Sequence, residues 1–246
     1  MALDAAGFPV IRTVGVDGML VSFGDRLSET ANRAALAFRA EVEREGWDGV
    51  EESASSLVSC YLRFDPLYLR HAALEAKLRE LIDSRDWMQA ALPQGRRLHR
   101  IPTVYGGTLA PQFGEAAAAA GLSEAAARDS LSRTRVRVTA LGFAPGQPYL
   151  GELPECWDIP RQQALTPRVP IGALVLAIRQ FVLFTVQAQT GWRHVGQTAV
   201  RLVRLGEERP FLLAPGDEVE FPAVSEEVFA RMQDDAEGGA SWEALA

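Results

Sequence analysis

The chain has 246 residues, enough for one large domain or two small ones with a real core, and its 48% hydrophobic and 23% charged residues are those of a globular protein. A net charge of −7 with no basic cluster argues against a nucleic-acid partner, and the longest apolar run, 171–178 with Gly172 inside it, is too short to span a bilayer. The first residues, MALDAAGFPV, lack the basic start and apolar stretch of a secretion signal, and Cys60 and Cys156 form neither a disulfide framework nor a metal-ligand spacing, so a reduced cytoplasmic location is expected.

In chain order, 19–23 (MLVSF) reads as a short strand ending at Gly24-Asp25. Ser28 then caps a helix to about Glu45, with Ala31, Ala34, Ala35, Phe38 and Val42 as its apolar stripe and Gly46 as its stop. A turn at Trp47-Asp48-Gly49 leads to a strand at 50–53 and a stronger one at 57–64, where Val58, Cys60, Leu62 and Phe64 share a face. That alternation makes Cys60 a core residue. Asp65-Pro66 opens a second helix to about Ser84 through Leu74, Leu78, Leu81 and Ile82, with His71 exposed on it. With a further strand at 98–104, this is the element order of a ferredoxin-like α+β unit.

The stretch 86–97, with Pro93 and Gly95, marks a boundary, so residues 1–95 are read as the α+β lobe and 96–224 as a second domain. His99 begins an extended segment, HRIPTVYGG, in which Pro102 indicates an edge or irregular strand. Two short Ala-rich helices follow at 112–120 and 123–133. An alternating run, 135–141, then breaks into LGFAPGQPYLG at 141–151, a proline-stiffened loop carrying Phe143, Pro145, Gly146, Gln147 and Tyr149. Such a loop is either the wall of a pocket or a well-packed structural turn. TPRVPIG at 166–172 is a second stiffened bend, and the runs 172–186, 193–205 and 211–221 read as short strands in a closed or nearly closed sheet. The tail, 225–246, is acidic, with one weak helix around Val228, Phe229 and Met232 and disorder expected beyond Asp234.

The chain carries no phosphate-cradling GxxxxGK loop, no GxGxxG after a strand, no HExxH and no GxSxG elbow, and its three histidines are too dispersed for a zinc site. His99 is a candidate base or simply a half-exposed strand histidine, and His194 stands in the same position. Arg168, between two prolines, is placed for carboxylate recognition or for a surface ion pair. Trp192 is a core or interface aromatic, or a ligand platform.

These segments resemble the KipI/PxpB family, also described as the B-type component of 5-oxoprolinase or as allophanate hydrolase subunit 1. The likeness rests on LGFAPGQPYLG at 141–151, TPRVPIG at 166–172, TGWRHVGQTAVRLV at 190–203, HRIPTVYGG at 99–107 and LLAPGDEVEF at 212–221, with MLVSFGD and YLRFDP in the first lobe. The resemblance implies an α+β lobe followed by a cyclophilin-like β-barrel. It also implies a C-type (PxpC/KipA-like) partner and an A-type (PxpA-like) subunit in an ATP-dependent 5-oxoprolinase-like complex. ATP would be used by the complex, with no cofactor on this chain. One branch of the family instead binds and inhibits a histidine kinase, and a non-catalytic binding subunit is a further alternative. On this reading a substrate pocket or a partner interface is drawn from His99, Tyr105, Phe143, Pro145, Gly146, Tyr149, Arg168, Gln180 and Trp192, with no catalytic residue named and no metal.

Departures from the family pattern are informative. Where the family runs approximately SVGIAGGQTGIYP, this chain has ALVLAIRQFVLFT at 173–185, so glycines become Val175, Ile178, Arg179 and Val182, and Tyr-Pro becomes Phe184-Thr185. The loop's second aromatic is Gln147. Branched side chains in place of glycine are expected to fill space above the strand and so remodel the pocket.

Overall fold

The computed structural model describes residues 7–245, in two compact units that divide at Gln94/Gly95. The expectation that the N-terminus carries no secretion signal falls largely on residues outside those described.

The first unit begins with a hairpin, β1 (Val10–Val14) and β2 (Gly18–Ser22), followed by α1 (Glu29–Glu45), β3 (Val50–Ser56), β4 (Ser59–Phe64) and α2 (His71–Asp83). Ser28 caps α1 by accepting from the Ala31 N–H at 3.2 Å, and Gly46 ends it in the left-handed conformation, its N–H donating to the Val42 carbonyl. The alanine stripe is fully buried, and Phe38 packs its ring against Phe23 and Trp87 at 5.3 and 4.9 Å between centroids. Cys60 sits in this core, where burial pushes its thiol up to about 12 and leaves it unreactive. His71 is half-buried rather than exposed, its ring edge-on to Phe64 at 4.8 Å.

The ferredoxin-like order is met only in part. Strands β2, β4 and β3 lie side by side and antiparallel, but the place beside β2 is taken by β1, which the sequence reading missed. The strand assigned to that place at 98–104 belongs to the second unit. Val14 and Val16 in the hairpin are exposed, so β1 shows no clean buried alternation by which to recognise it.

The second unit contains β5 (Arg97–Arg100), β6 (Thr103–Tyr105), α3 (Phe113–Ala119), α4 (Glu124–Arg133), β7 (Val136–Leu141) and β8 (Pro148–Gly151). It continues with β9 (Thr166–Val169), β10 (Ala173–Ala177), β11 (Gln180–Leu183), β12 (Ala188–Thr190), β13 (Arg193–Thr198), β14 (Glu218–Glu220), α5 (Glu226–Met232) and β15 (Ser241–Ala244). Antiparallel pairing runs β14, β7, β8, β11, β10, β13, β6. Beyond β6 the sheet closes: β5 pairs β14 in parallel, and the Thr103 N–H donates to the Pro222 carbonyl just past β14, at 2.9 Å. Pro148 does not interrupt the sheet, because it is the first residue of β8.

Period-two alternation sorts the side chains of β10 and β11 into two layers. Leu174, Leu176, Phe181 and Leu183 fill the interior of the closed sheet with Val195, Val219 and Phe221, and the Phe181 and Phe221 rings meet edge-on at 5.5 Å. Ala173, Val175, Ala177, Val182 and Phe184 face the other way, into a smaller core shared with Val169 and Trp192. The two-stranded sheet of β9 and β12 belongs to this outer layer.

Disorder beyond Asp234 is corrected by β15, which pairs antiparallel with β5. The acidic side chains read as solvated are engaged: Glu243 with Arg100 at 2.8 Å and Glu237 with Arg204, while Arg97 lies 4.0 Å from the centre of the Trp242 ring.

Ile178 and Arg179 form the two-residue turn between β10 and β11, both with positive φ, 45° and 59°. This is the backbone pattern of a type I′ turn, which favours Asn and Gly and strains a β-branched residue. The Ile178 side chain is 43% exposed and contributes little packing. Ile178→Asn is expected to stabilise the protein by about 1 kcal/mol; an unchanged or lower thermal midpoint would contradict this account of the turn.

Candidate functional site

A cavity of about 390 Å³ opens on the outer face of β8 and β11. Val182 and Phe184 form its floor, Tyr149 and Trp192 stand beside it with ring centres 6.4 Å apart and planes at 76°, and Phe143, Leu165 and Arg161 lie at its exposed margin. Gln147, Gln162, Gln189, Thr190 and Gly191 complete the lining.

The aromatic wall is held by amides. Gln162 donates its backbone N–H to the Gly191 carbonyl at 2.7 Å and its side-chain N–H to the Trp192 carbonyl at 3.0 Å. Gln112 joins in: its Oε1 accepts from the His194 N–H at 2.8 Å, and its Nε2 donates to Gln162 Oε1 at 2.7 Å and to Thr166 Oγ1 at 3.1 Å. The Trp192 N–H donates to Thr190 Oγ1 at 3.1 Å. Each buried amide is thus satisfied by another, which fixes the start of β13 and with it the indole.

Of the residues singled out from sequence, Phe143, Tyr149 and Trp192 come together here, as does Gln147. The others do not line the cavity. His99 is buried in β5, its Nε2 3.5 Å from the Asp217 carboxylate, which itself accepts the N–H groups of Arg97 and Ala214 at 2.8 and 2.9 Å; this is a brace for the turn before β14. Tyr105 is a core residue whose hydroxyl donates to the Phe221 carbonyl at 2.9 Å, and burial raises its pKa. Pro145 is exposed at the loop tip. Gly146 has φ +65° and faces the 203–211 segment, where a Cβ would meet Phe211 at 2.8 Å and Val203 at 3.0 Å. Gln180 lies opposite Gly151 at the turn end of β11.

Arg168 does not line the cavity. Its neighbour Val169 is fully buried in the outer core, so alternation along β9 turns Arg168 to solvent. The arginine that reaches the cavity is Arg161, in a coil before β9, with its guanidinium 5.2 Å from the centre of the Trp192 ring. Nothing in the local pattern around Arg161 or Gln162 marks them, because β9–β12 pairing and the Gln162–Gly191 bond bring them to Trp192.

His194 is buried beside this wall, and desolvation lowers its pKa, so the imidazole is neutral at neutral pH. Phe181 and Phe184 are also buried.

The departures noted in the sequence fall into contacting pairs. Val175 and Val182 are cross-strand partners on the outer face, Ile178 and Arg179 share the turn, and the Thr185 N–H, which a proline would lack, points to Gln147 Oε1 at 3.4 Å. Only the first pair fills space above the strand. A second cavity, about 480 Å³, lies in the first unit between the end of α1 and β3; of its carboxylates Glu43 pairs with Arg39, and Glu51 and Glu52 with Arg63, while Asp48 also lines it.

A sequence model of the family described as "Carboxyltransferase domain, subdomain C and D" matches residues 9–213. The chain belongs to the carboxyltransferase-domain family. Among curated members of the PxpB/KipI type, it is 28% identical over 223 residues to the B-type subunit of 5-oxoprolinase from Bacillus subtilis, covering 88% of this chain and 93% of that one. It is 37% identical over 145 residues to the corresponding 5-oxoprolinase component of Escherichia coli O157:H7, covering 58% and 66%. The crystal structure of TTHA0988 superposes with a TM-score of 0.71 at 31% identity, covering 88% of this chain but only 40% of that longer one. The urea amidolyase of Kluyveromyces lactis, at 16% identity, covers 96% of this chain and 16% of its own length with a TM-score of 0.70, a likeness of fold. For this carboxyltransferase domain the shared architecture is a mostly antiparallel sheet with few helices. Among the described residues no helix is long and apolar enough to cross a membrane.

Proposed function

We propose that this carboxyltransferase domain is the B-type subunit of a 5-oxoprolinase-like, ATP-dependent amidohydrolase complex in the cytoplasm, working with a C-type and an A-type subunit. The observation that carries the reading is the composition of the cavity. It has an aromatic wall and neutral amides suited to a small amide-bearing ligand, yet its lining includes no carboxylate, histidine, cysteine or lysine able to act as a general base or nucleophile. A site that binds without a carboxylate, imidazole, thiol or amine of its own fits a subunit completed by a partner. The likeness to the B-type 5-oxoprolinase component over 93% of the Bacillus subtilis protein supports the same reading. The closed sheet supports a cyclophilin-like barrel, and the order β2, β4, β3 supports a ferredoxin-like lobe with β1 in the fourth place.

ATP is used by the complex rather than held by this chain. The test is reconstitution with C-type and A-type partners and a panel of small lactams and linear amides, 5-oxoproline included. Turnover that needs ATP and all three chains is expected. No turnover of any amide, together with tight binding of a histidine kinase by the chain alone, would transfer the assignment to the KipI-type inhibitor, for which the missing base is also suitable.

A further inference from the structure

The lining of the cavity carries one formal charge, on Arg161. Among the described residues no carboxylate pairs with it; its one close contact is the face of the Trp192 ring. Lying on an indole orients a guanidinium while leaving its planar fork of N–H donors free. The fork stands at the margin of a cavity whose remaining polar side chains are neutral, chiefly the amides of Gln147, Gln162 and Gln189 and the hydroxyls of Tyr149 and Thr190, and whose floor, Val182 and Phe184, is buried and apolar. A carboxylate matches such a fork with two parallel hydrogen bonds.

We infer that Arg161 selects the ligand of this cavity, holding the carboxylate of a small acid at the mouth while its flat, weakly charged body lies against Tyr149 and Trp192. The inference rests on reading the cavity as the ligand site and adds to it the residue that discriminates acids from their neutral counterparts. Arg161 is exposed and makes no hydrogen bond among the described residues, so its replacement leaves the amide network of Gln112 and Gln162 in place.

The experiment is calorimetric or ligand-observed NMR titration of the full chain with L-5-oxoproline and with its uncharged primary amide. The acid is expected to bind about tenfold more tightly than the amide, as for a charge-assisted pair. Arg161→Gln should lower affinity for the acid by about that factor and leave the amide unchanged, erasing the preference, while Arg161→Lys keeps part of it. An unchanged thermal midpoint checks that the variants fold. Equal affinities for acid and amide, binding of neither, or an Arg161→Gln variant that keeps the preference would each overturn the inference. Failure here is separable from failure of the functional assignment above. ATP-dependent turnover with an unaltered KM in Arg161→Gln overturns the role of Arg161 and spares that assignment. An acid preference that depends on Arg161 in a chain supporting no turnover does the reverse.

Discussion

Trp192→Ala is expected to destabilise the second unit by about 3–5 kcal/mol, the cost of truncating a large buried aromatic. The indole is 6% exposed and belongs to the outer core with Val169, Ala173, Val175, Val182 and Phe184. No neighbour is positioned to collapse into the vacated space, because Tyr149 meets the indole edge-on and is itself fixed in β8. For a chain of this size the thermal midpoint should fall on the order of 10 °C. Trp192→Phe retains a ring against Tyr149 and Arg161 and should lose about half as much. A midpoint within about 2 °C of wild type in the alanine variant would show that the outer layer is not a packed core.

Gly172→Ala should be nearly as severe, for a different reason. Gly172 has φ +78°, a region costing an L-residue about 1–2 kcal/mol. A Cβ there would also run into the Thr198 carbonyl oxygen and lie 2.9 Å from Gln197 Nε2. The Thr198 carbonyl, being backbone, cannot swing aside. The Thr198 N–H donates to the Gly172 carbonyl and the Gly172 N–H to the Phe184 carbonyl, both at 2.9 Å, so the residue joins the ends of β10, β11 and β13. Relieving the contact shifts backbone at that junction, adding about 1–3 kcal/mol and bringing the total to about 3–5 kcal/mol. Urea unfolding read by tryptophan fluorescence, with Gly206→Ala as a control where a Cβ meets nothing within 4 Å, separates the steric part from the conformational one. Equal losses in the two variants would sink the steric argument.

Much of this was legible in the residues. Ser28 and Gly46 bracket α1 as their chemistry requires, the period-two pattern at 58–64 placed Cys60 in the core, and Ser123 and Ser225 cap the helices they precede. Tyr149 and Trp192 were recognisable as partners through the family's motifs. Arg168 was a candidate by type and by its prolines, and one step of the pleat turns it to solvent rather than into the cavity. β15 was hidden by its composition, since acidity reads as solvation unless Arg100 and Arg204 are known to be within reach.

Taken alone, the amino-acid order determined the helices, several strands and the family, because capping, alternation and short motifs act over a few residues. Which strand lies beside which was decided only in three dimensions. β1 took a place expected for a later strand, and β5 joined β14 and β15 in the other unit. The cavity followed from those pairings. A side chain's face depends on the register of its strand with a distant partner, so Arg161, Gln162 and Gln112 converge on Trp192 through hydrogen bonds that no local pattern encodes.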